Sequence, residues 1–318
     1  MDPKVVFDRQ QENLLNERLE ELESDRTLSN TLIACVFLFI GIVGIWLHGL
    51  NVSRLMKLSL FLPPGLVTLH FHLALTNLGV ISAFPFGAIS TFYNQWMFGS
   101  VGCQIYAVEG MVCGMTTIAL TCSICVLHWL DVTQGITFNI WFYRLTVALT
   151  WMFGIFWSIP PLFGYGKYDL EPHKTTCSLQ IPPIDWNDTV YLIALTFLGY
   201  VVPVSLAALA YSSVIKQYCD EVYKEDKVGE NTSKKLEIFG TQVKLNGWIL
   251  VQNILTWLAL GIMACWSFSL GLSDVNPRVF YIPQLLAKLG CATTPVAYLI
   301  TMHHLKKTNS VIVPEKQD

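Results

Sequence analysis

The sequence predicts an all-α membrane protein, a bundle of seven transmembrane helices. Three observations carry that expectation. Hydrophobic residues make up 53% of the 318 and charged residues only 14%, where an ordinary soluble domain carries about 25% charged residues. The mean hydropathy is +0.48. The apolar residues also fall into long blocks, each close to the roughly 20 residues with which a helix crosses ~30 Å of hydrocarbon. Such a composition leaves little room for a water-soluble enzyme and makes the lipid bilayer the first partner. With 20 Lys and Arg against 23 Asp and Glu the formal charge is −3. A polyanion-binding role is therefore not expected, and neither is a nucleic-acid partner.

In chain order, a hydrophilic acidic stretch over residues 1–30 comes first. It contains no cleavable signal peptide, so the first helix is expected to act as its own signal anchor. Leu14, Leu15, Leu19 and Leu22 recur at helical spacing among Glu17, Glu20, Glu21 and Glu23, which reads equally as a short amphipathic helix or as a solvated tail. The seven-helix domain occupies residues 31–301. Its apolar blocks run over Thr31–Leu50, Leu66–Thr91, Cys103–Leu130, Leu145–Phe163, Val190–Ile215, Gly247–Leu270 and Val279–Thr301. Helices are the reading because backbone inside lipid must satisfy its own hydrogen bonds. Pro85, Pro160, Pro161, Pro203, Pro283 and Pro295 fall inside these blocks, so neighbouring helices must take up the groups they free. Residues 302–318 follow, where Met302-His303-His304-Leu305-Lys306-Lys307 suits a short membrane-surface helix.

Orientation follows from basic residues in short loops. Arg54, Lys57, Arg144, Lys216, Lys224, Lys227, Lys234, Lys235, Lys244, Lys306 and Lys307 share one side, against only Lys167, Lys174 and Arg278 on the other. The expected topology is a multi-pass protein, with the plasma membrane as its expected location, its N-terminus outside and its C-terminus in the cytosol. The loop from Lys216 to Lys244 then faces the cytosol. Asn187-Asp188-Thr189 is the sequon left outside, making Asn187 a candidate for N-glycosylation. Of nine cysteines, Cys113, Cys122, Cys125 and Cys291 read as small core residues. Cys103 and Cys177 both fall on the oxidising outer side, where a disulfide between them would pin the second outer loop over the bundle. No metal site is expected.

Lys288 carries the chemistry. It stands near the middle of the seventh block, too deep to snorkel to the interface. An intramembrane charge costs at least about 2.5 kcal/mol on insertion scales, so such a residue is read first as functional, with a structural ion pair as the alternative. Apolar surroundings disfavour the ammonium, and a neutral amine in a dry pocket suits condensation with an aldehyde. A protonated imine formed there would need a nearby carboxylate. Glu109 in the third block and Glu171 in the second outer loop are the two candidates.

These residues sit in a wider pattern. Ala287-Lys288 precedes Pro295-Val296-Ala297-Tyr298, and Trp257, Phe268, Ser273-Asp274, Pro277 and Ile282-Pro283 lead up to it. The second outer loop reads Gly164-Tyr165-Gly166-Lys167-Tyr168-Asp169-Leu170-Glu171, then Thr176-Cys177-Ser178. Cys103-Gln104-Ile105-Tyr106-Ala107 opens the third block, with Gly110 and Gly114 beyond, while Trp151, Pro160-Pro161-Leu162, Pro203 and Tyr211 mark the fourth and fifth. In these features the chain resembles the animal opsins, over nearly all seven helices and most closely their invertebrate-type and peropsin-like members.

The resemblance implies a rhodopsin-like receptor fold with retinal bound covalently on Lys288 as a protonated Schiff base. It puts Glu171 where many non-vertebrate opsins carry the counterion. Tyr106 stands where vertebrate visual pigments carry theirs. Glu109 is not an opsin landmark; it lies three residues beyond Tyr106, on roughly the same helix face, and reads as a second acid or as a structural glutamate. Trp257 is expected against the chromophore. Gly110 and Gly114 would let a polyene or another helix approach the backbone.

The half expected in the cytosol departs from the receptor pattern. Leu127-His128-Trp129 replaces the family's Asp/Glu-Arg-Tyr, and His128 offers no permanently charged bidentate fork to a G protein. Asn77 stands for an aspartate, Thr294 for the asparagine before Pro295, and Ala259 for the proline that would kink the sixth helix. The leading expectation is an opsin-type photoreceptor with weakened or atypical coupling to a heterotrimeric G protein, and not an enzyme. The alternatives are a retinal photoisomerase of the retinochrome type and a receptor-fold chemosensor that binds no retinal.

Overall fold

In a computed structural model the chain is described over residues 3–58, 63–181, 183–225, 230–269 and 275–310. Ser273 and Asp274, and the side chains of Leu14, Leu15, Leu19, Leu22 and Phe268, lie outside the described residues. Among the described residues seven helical spans are long and apolar enough to cross a membrane: Glu23–Val52, Pro64–Phe92, Gly99–Gln134, Ile140–Phe163, Trp186–Lys224, Leu236–Trp266 and Pro277–Leu305. Six of them enclose the block expected there; the sixth starts earlier and ends at Trp266. The chain is a multi-pass membrane protein, and large apolar side chains such as Phe39, Trp46, Phe156 and Leu209 point outward, more than half exposed, as lipid solvation requires.

Helix α1 spans Pro3–Leu58 without a break, so the acidic stretch continues the first span as helix. The second span is α2 (Pro64–Ser82) and α3 (Phe84–Phe92), parted at Ala83 two residues before Pro85. The third is α4 (Gly99–Gln134) and the fourth is α5 (Ile140–Ser158) with a 3-10 turn over Pro160–Phe163. Strands β1 (Tyr168–Leu170) and β2 (Cys177–Leu179) form an antiparallel hairpin with Leu170 opposite Cys177. The fifth span is α6 (Trp186–Ala194), a π-helical turn over Leu195–Val201 ahead of Pro203, and α7 (Val202–Glu225). Then come α8 (Glu230–Ser269), a 3-10 turn over Pro277–Phe280, and α9 (Tyr281–Ser310). Helix α8 runs without interruption through Ala259.

Two stretches expected as separate features are extensions of spans. The basic loop from Lys216 to Lys244 is largely helix, since α7 reaches Glu225 and α8 begins at Glu230. Residues 302–310 continue α9 rather than forming a surface helix. Tyr298, Met302 and Leu305 recur at one helical turn and are all buried in the same core cluster, so the apolar face carries the helix onward.

The prolines show how the bundle is tied together. Pro295 lies inside α9 and has no N–H for the carbonyl of Cys291, four residues back. His48 of α1 donates its Nε2–H to that carbonyl at 3.2 Å. Pro161 leaves the Trp157 carbonyl without its helical donor, and the Tyr191 hydroxyl of α6 donates to it. Tyr168 on the hairpin donates to the Ser158 carbonyl at 2.8 Å. Helix α4 packs against α2, α5, α7 and both strands. Polar bonds bind the interior: Thr117 to Thr76 at 3.0 Å, Asn253 to Thr121 at 3.2 Å and Asn77 to Thr294 at 3.0 Å.

The disulfide expected between Cys103 and Cys177 is present, with the Cα atoms 5.4 Å apart and 74 residues between them. It fastens β2 to the first turn of α4 and sets the hairpin across one end of the bundle, called here the disulfide end. On the hairpin, the bond from Lys167 holds the Asp169 carboxyl below the usual carboxylate range, and burial pushes the Tyr168 phenol up. Closing so long a loop is worth about 2–4 kcal/mol. Cys177→Ser is therefore expected to lower the melting temperature of the detergent-purified chain and to expose the hairpin to protease; an unchanged melt and digestion pattern would refute the fastening role.

Candidate functional site

Beneath the hairpin a cavity of about 200 Å³ opens between α2, α4, α6, α8 and α9. Its walls are mostly apolar, with few polar groups. On α9, Gln284, Ala287 and Lys288 line it; spaced at three and four residues, they share one helix face.

Lys288 is 6% exposed. Its Nζ donates to the Val80 carbonyl at 3.1 Å and stands 5.5 Å from the centre of the Tyr106 ring. The local cause lies in α2. That helix stops at Ser82, and carbonyls in a helix's last turn have no donor within the helix. The amine from α9 takes one of them. Among the described residues no carboxylate comes within 4 Å of Lys288.

Both expected acids line the cavity with Lys288, but in unlike settings. Glu171 is 8% exposed and held by its own loop. Its Oε2 accepts from His173 Nε2 at 2.7 Å and from Thr176 Oγ1 at 3.3 Å. His173 is itself fixed: its ring stacks on Tyr281 at 3.8 Å and 6°, and its Nδ1 accepts the Thr175 amide at 3.3 Å. That acceptance places the ring proton on Nε2, facing the carboxylate. Gln284 reaches the same group by donating to Thr176 Oγ1 at 2.7 Å. Glu109 instead has the Cys113 thiol 3.9 Å from its Oε1, and its Oε2 is buried with no hydrogen-bond partner among the described residues.

The two glycines do different work. A Cβ on Gly110 would enter open space, so this residue widens the cavity. A Cβ on Gly114 would lie 2.5 Å from the Trp257 ring, so Gly114 is what lets the indole cross against α4. Trp257 lines the cavity, and its Nε1–H is buried without a hydrogen-bond partner among the described residues.

The opposite end holds His128, Pro295 and Tyr298. His128 is 2% exposed, with Nδ1 2.9 Å from Asn246 Nδ2 of α8. Tyr298, three residues after Pro295, has its hydroxyl 2.8 Å from His70 Nδ1 of α2. Asn77 and Thr294, two departures from the opsin pattern, bond to each other. At the disulfide end, Asn187 is exposed in the first turn of α6, next to Asp188, which accepts from the Gly166 amide. The sequence reading missed His173, Gln284, Val80 and the partners His70 and Asn246. Gln284 was within reach, lying four residues before Lys288; a backbone carbonyl such as that of Val80 carries no side-chain signal.

The family described as the seven-transmembrane receptors of the rhodopsin family matches residues 66–298. A rhodopsin of Enteroctopus dofleini is 23% identical over 82% of this chain, and the chain spans only 60% of that relative's length. A retinochrome of Todarodes pacificus is 25% identical, covering 86% of this chain and 91% of its own. Among solved structures, squid rhodopsin superposes with a TM-score of 0.73 at 20% identity, over 90% of this chain and 86% of its own, a likeness of fold.

Overpacking a buried contact costs about 1–3 kcal/mol. Gly114→Ala is thus expected to destabilise the ligand-free chain by that order and to perturb Trp257 fluorescence; an unchanged melt and spectrum would show that the indole does not need this glycine.

Proposed function

We propose that this chain, which belongs to the rhodopsin family of seven-transmembrane receptors, is an opsin-type photoreceptor that carries retinal on Lys288 and signals through a heterotrimeric G protein. The observation that carries the reading is the Lys288 amine. It is buried at the wall of an apolar cavity and bonded only to a carbonyl among the described residues. The cavity fits a polyene. Its lining is apolar, Gly110 leaves it open and Trp257 closes one wall. Bound there through its aldehyde carbon, retinal supplies a polyene that absorbs visible light and changes isomer.

The chain's own groups do the rest. Lys288 anchors, Glu171 and Glu109 provide negative charge on two sides of the cavity, and the disulfide-fastened hairpin keeps water out. The distribution of lysines and arginines supports an N-terminus outside and a C-terminus in the cytosol at the plasma membrane. G-protein coupling is atypical in this reading, because a buried His128 bonded to Asn246 stands where receptors of this family present an arginine. A photoisomerase of the retinochrome type is the second reading, favoured by the retinochrome relative, which the chain spans almost in full.

Purified protein fed with retinal is expected to show a visible absorption band that Lys288→Ala abolishes; no band in the wild type, or a band kept by the variant, refutes retinal attachment and leaves a chemosensor. Isomer extracted after illumination should not exceed the protein in moles, whereas an excess identifies the photoisomerase. For the output, His128→Arg is expected to raise light-driven nucleotide exchange on a G protein, and no gain would show that this residue does not limit coupling.

A further inference from the structure

Two carboxylates share the cavity with one amine, and their surroundings are not equivalent. We propose that Glu109 of α4 carries the charge that opposes a loaded Lys288, while Glu171 is committed to His173. The proposal rests on the retinal reading and deepens it.

Position gives the first argument. Glu109 Oε1 lies 3.5 Å from where a Cβ on Gly79 would be, so its carboxylate rests against the backbone of α2 at Gly79. Lys288 Nζ is bonded to the carbonyl of the next residue, Val80. Ammonium and carboxylate therefore meet the same two-residue stretch from opposite helices. Tyr106, whose ring lies 5.5 Å below the ammonium, is one turn before Glu109 on the same face of α4.

Satisfaction of the charges gives the second. The Glu171 oxygen that faces its loop already accepts two hydrogen bonds, one from a histidine whose orientation is fixed by a stacked ring and a backbone amide. That arrangement stands without Lys288. Among the described residues Glu109 has only a thiol at 3.9 Å and a second oxygen that is buried without a partner. A buried carboxylate without donors is costly unless a cation is close, and the buried ammonium has the same need. Each answers the other. The titratable groups around the pair are Tyr106 and Glu171, which line the cavity with it, Cys113, whose thiol is 3.9 Å from Glu109, and Cys291 beyond Lys288 on α9; His173 is reached through Glu171, and His48 through the Cys291 carbonyl.

The test is an acid–base titration of the visible band in the retinal-loaded full chain. Glu109→Gln is expected to move the midpoint to lower pH by about 2 units, Glu109→Asp to recover most of that shift, and Glu171→Gln to move it less than Glu109→Gln. A shift in Glu171→Gln as large as or larger than that in Glu109→Gln overturns the proposal. A wild type that forms no band overturns the retinal reading itself, and the proposal falls with it. A ligand-free measurement stands beside the spectra: a double-mutant cycle of melting temperatures with Glu109→Gln and Lys288→Met is expected to show stronger coupling than the cycle with Glu171→Gln and Lys288→Met. Should Glu109→Gln alone fail to fold, recovery on adding Lys288→Met is the expected result, and no recovery overturns the assignment.

Discussion

An amine buried in the middle of a membrane span is the constraint around which the disulfide end is organised. An ammonium cannot stay in hydrocarbon unless polar groups meet it, and the chain supplies them from three directions. Helix α2 ends early, so that the Val80 carbonyl turns to the amine. Helix α4 brings an aromatic face and a carboxylate on successive turns. The loop over the cavity brings a second carboxylate, and the disulfide fixes that loop to α4. Remove the lysine and none of these features has a reason to converge; keep it, and the early end of α2 at Ser82, ahead of Pro85, becomes a means of exposing an acceptor.

The same rule, that every buried backbone group needs a partner, explains how the spans are joined. Prolines in α9 and after α5 free carbonyls, and side chains from other helices, His48 and Tyr191, donate to them. Each such bond is worth roughly 1 kcal/mol net, but an unmet carbonyl would cost more. Helix pairs are thus held in one register by bonds that a slip of one residue would lose. Hydrophobic attraction supplies no comparable register in lipid, because the tails outside are as apolar as the interior.

What the sequence disclosed follows from what has a period or a rare residue type. Apolar blocks of membrane length gave the spans, and a lone mid-span lysine pointed to the cavity that it lines. Two cysteines on one side gave the disulfide. Helix ends were read less well, since residues 216–225, 230–244 and 302–307 look polar while their backbones stay helical; polarity marks departure from lipid, not loss of helix. The pairing of Glu171 with His173 depends on a turn that folds residue 173 back under the ring of Tyr281, more than 100 positions away. The crossing of Trp257 over Gly114 likewise exists only once α4 and α8 are packed.

At the far end, departures from the receptor pattern compensate one another. Asn77 and Thr294 replace an acid and an amide, and they bond directly, with Gln252 of α8 also donating to Thr294. His128 replaces an arginine and is met by Asn246 across α4 and α8, while His70 meets Tyr298 across α2 and α9. In both pairs a hydrogen bond that needs no full charge joins two helices that would have to part for a partner to enter between them. A neutral bond leaves no desolvated ion behind when it breaks, unlike an ion pair in the same place. The resting bundle is thus closed by several modest bonds rather than one strong charge pair. Any opening at this end has to break bonds that join α4 to α8 and α2 to α9, so these helices are coupled through their side chains.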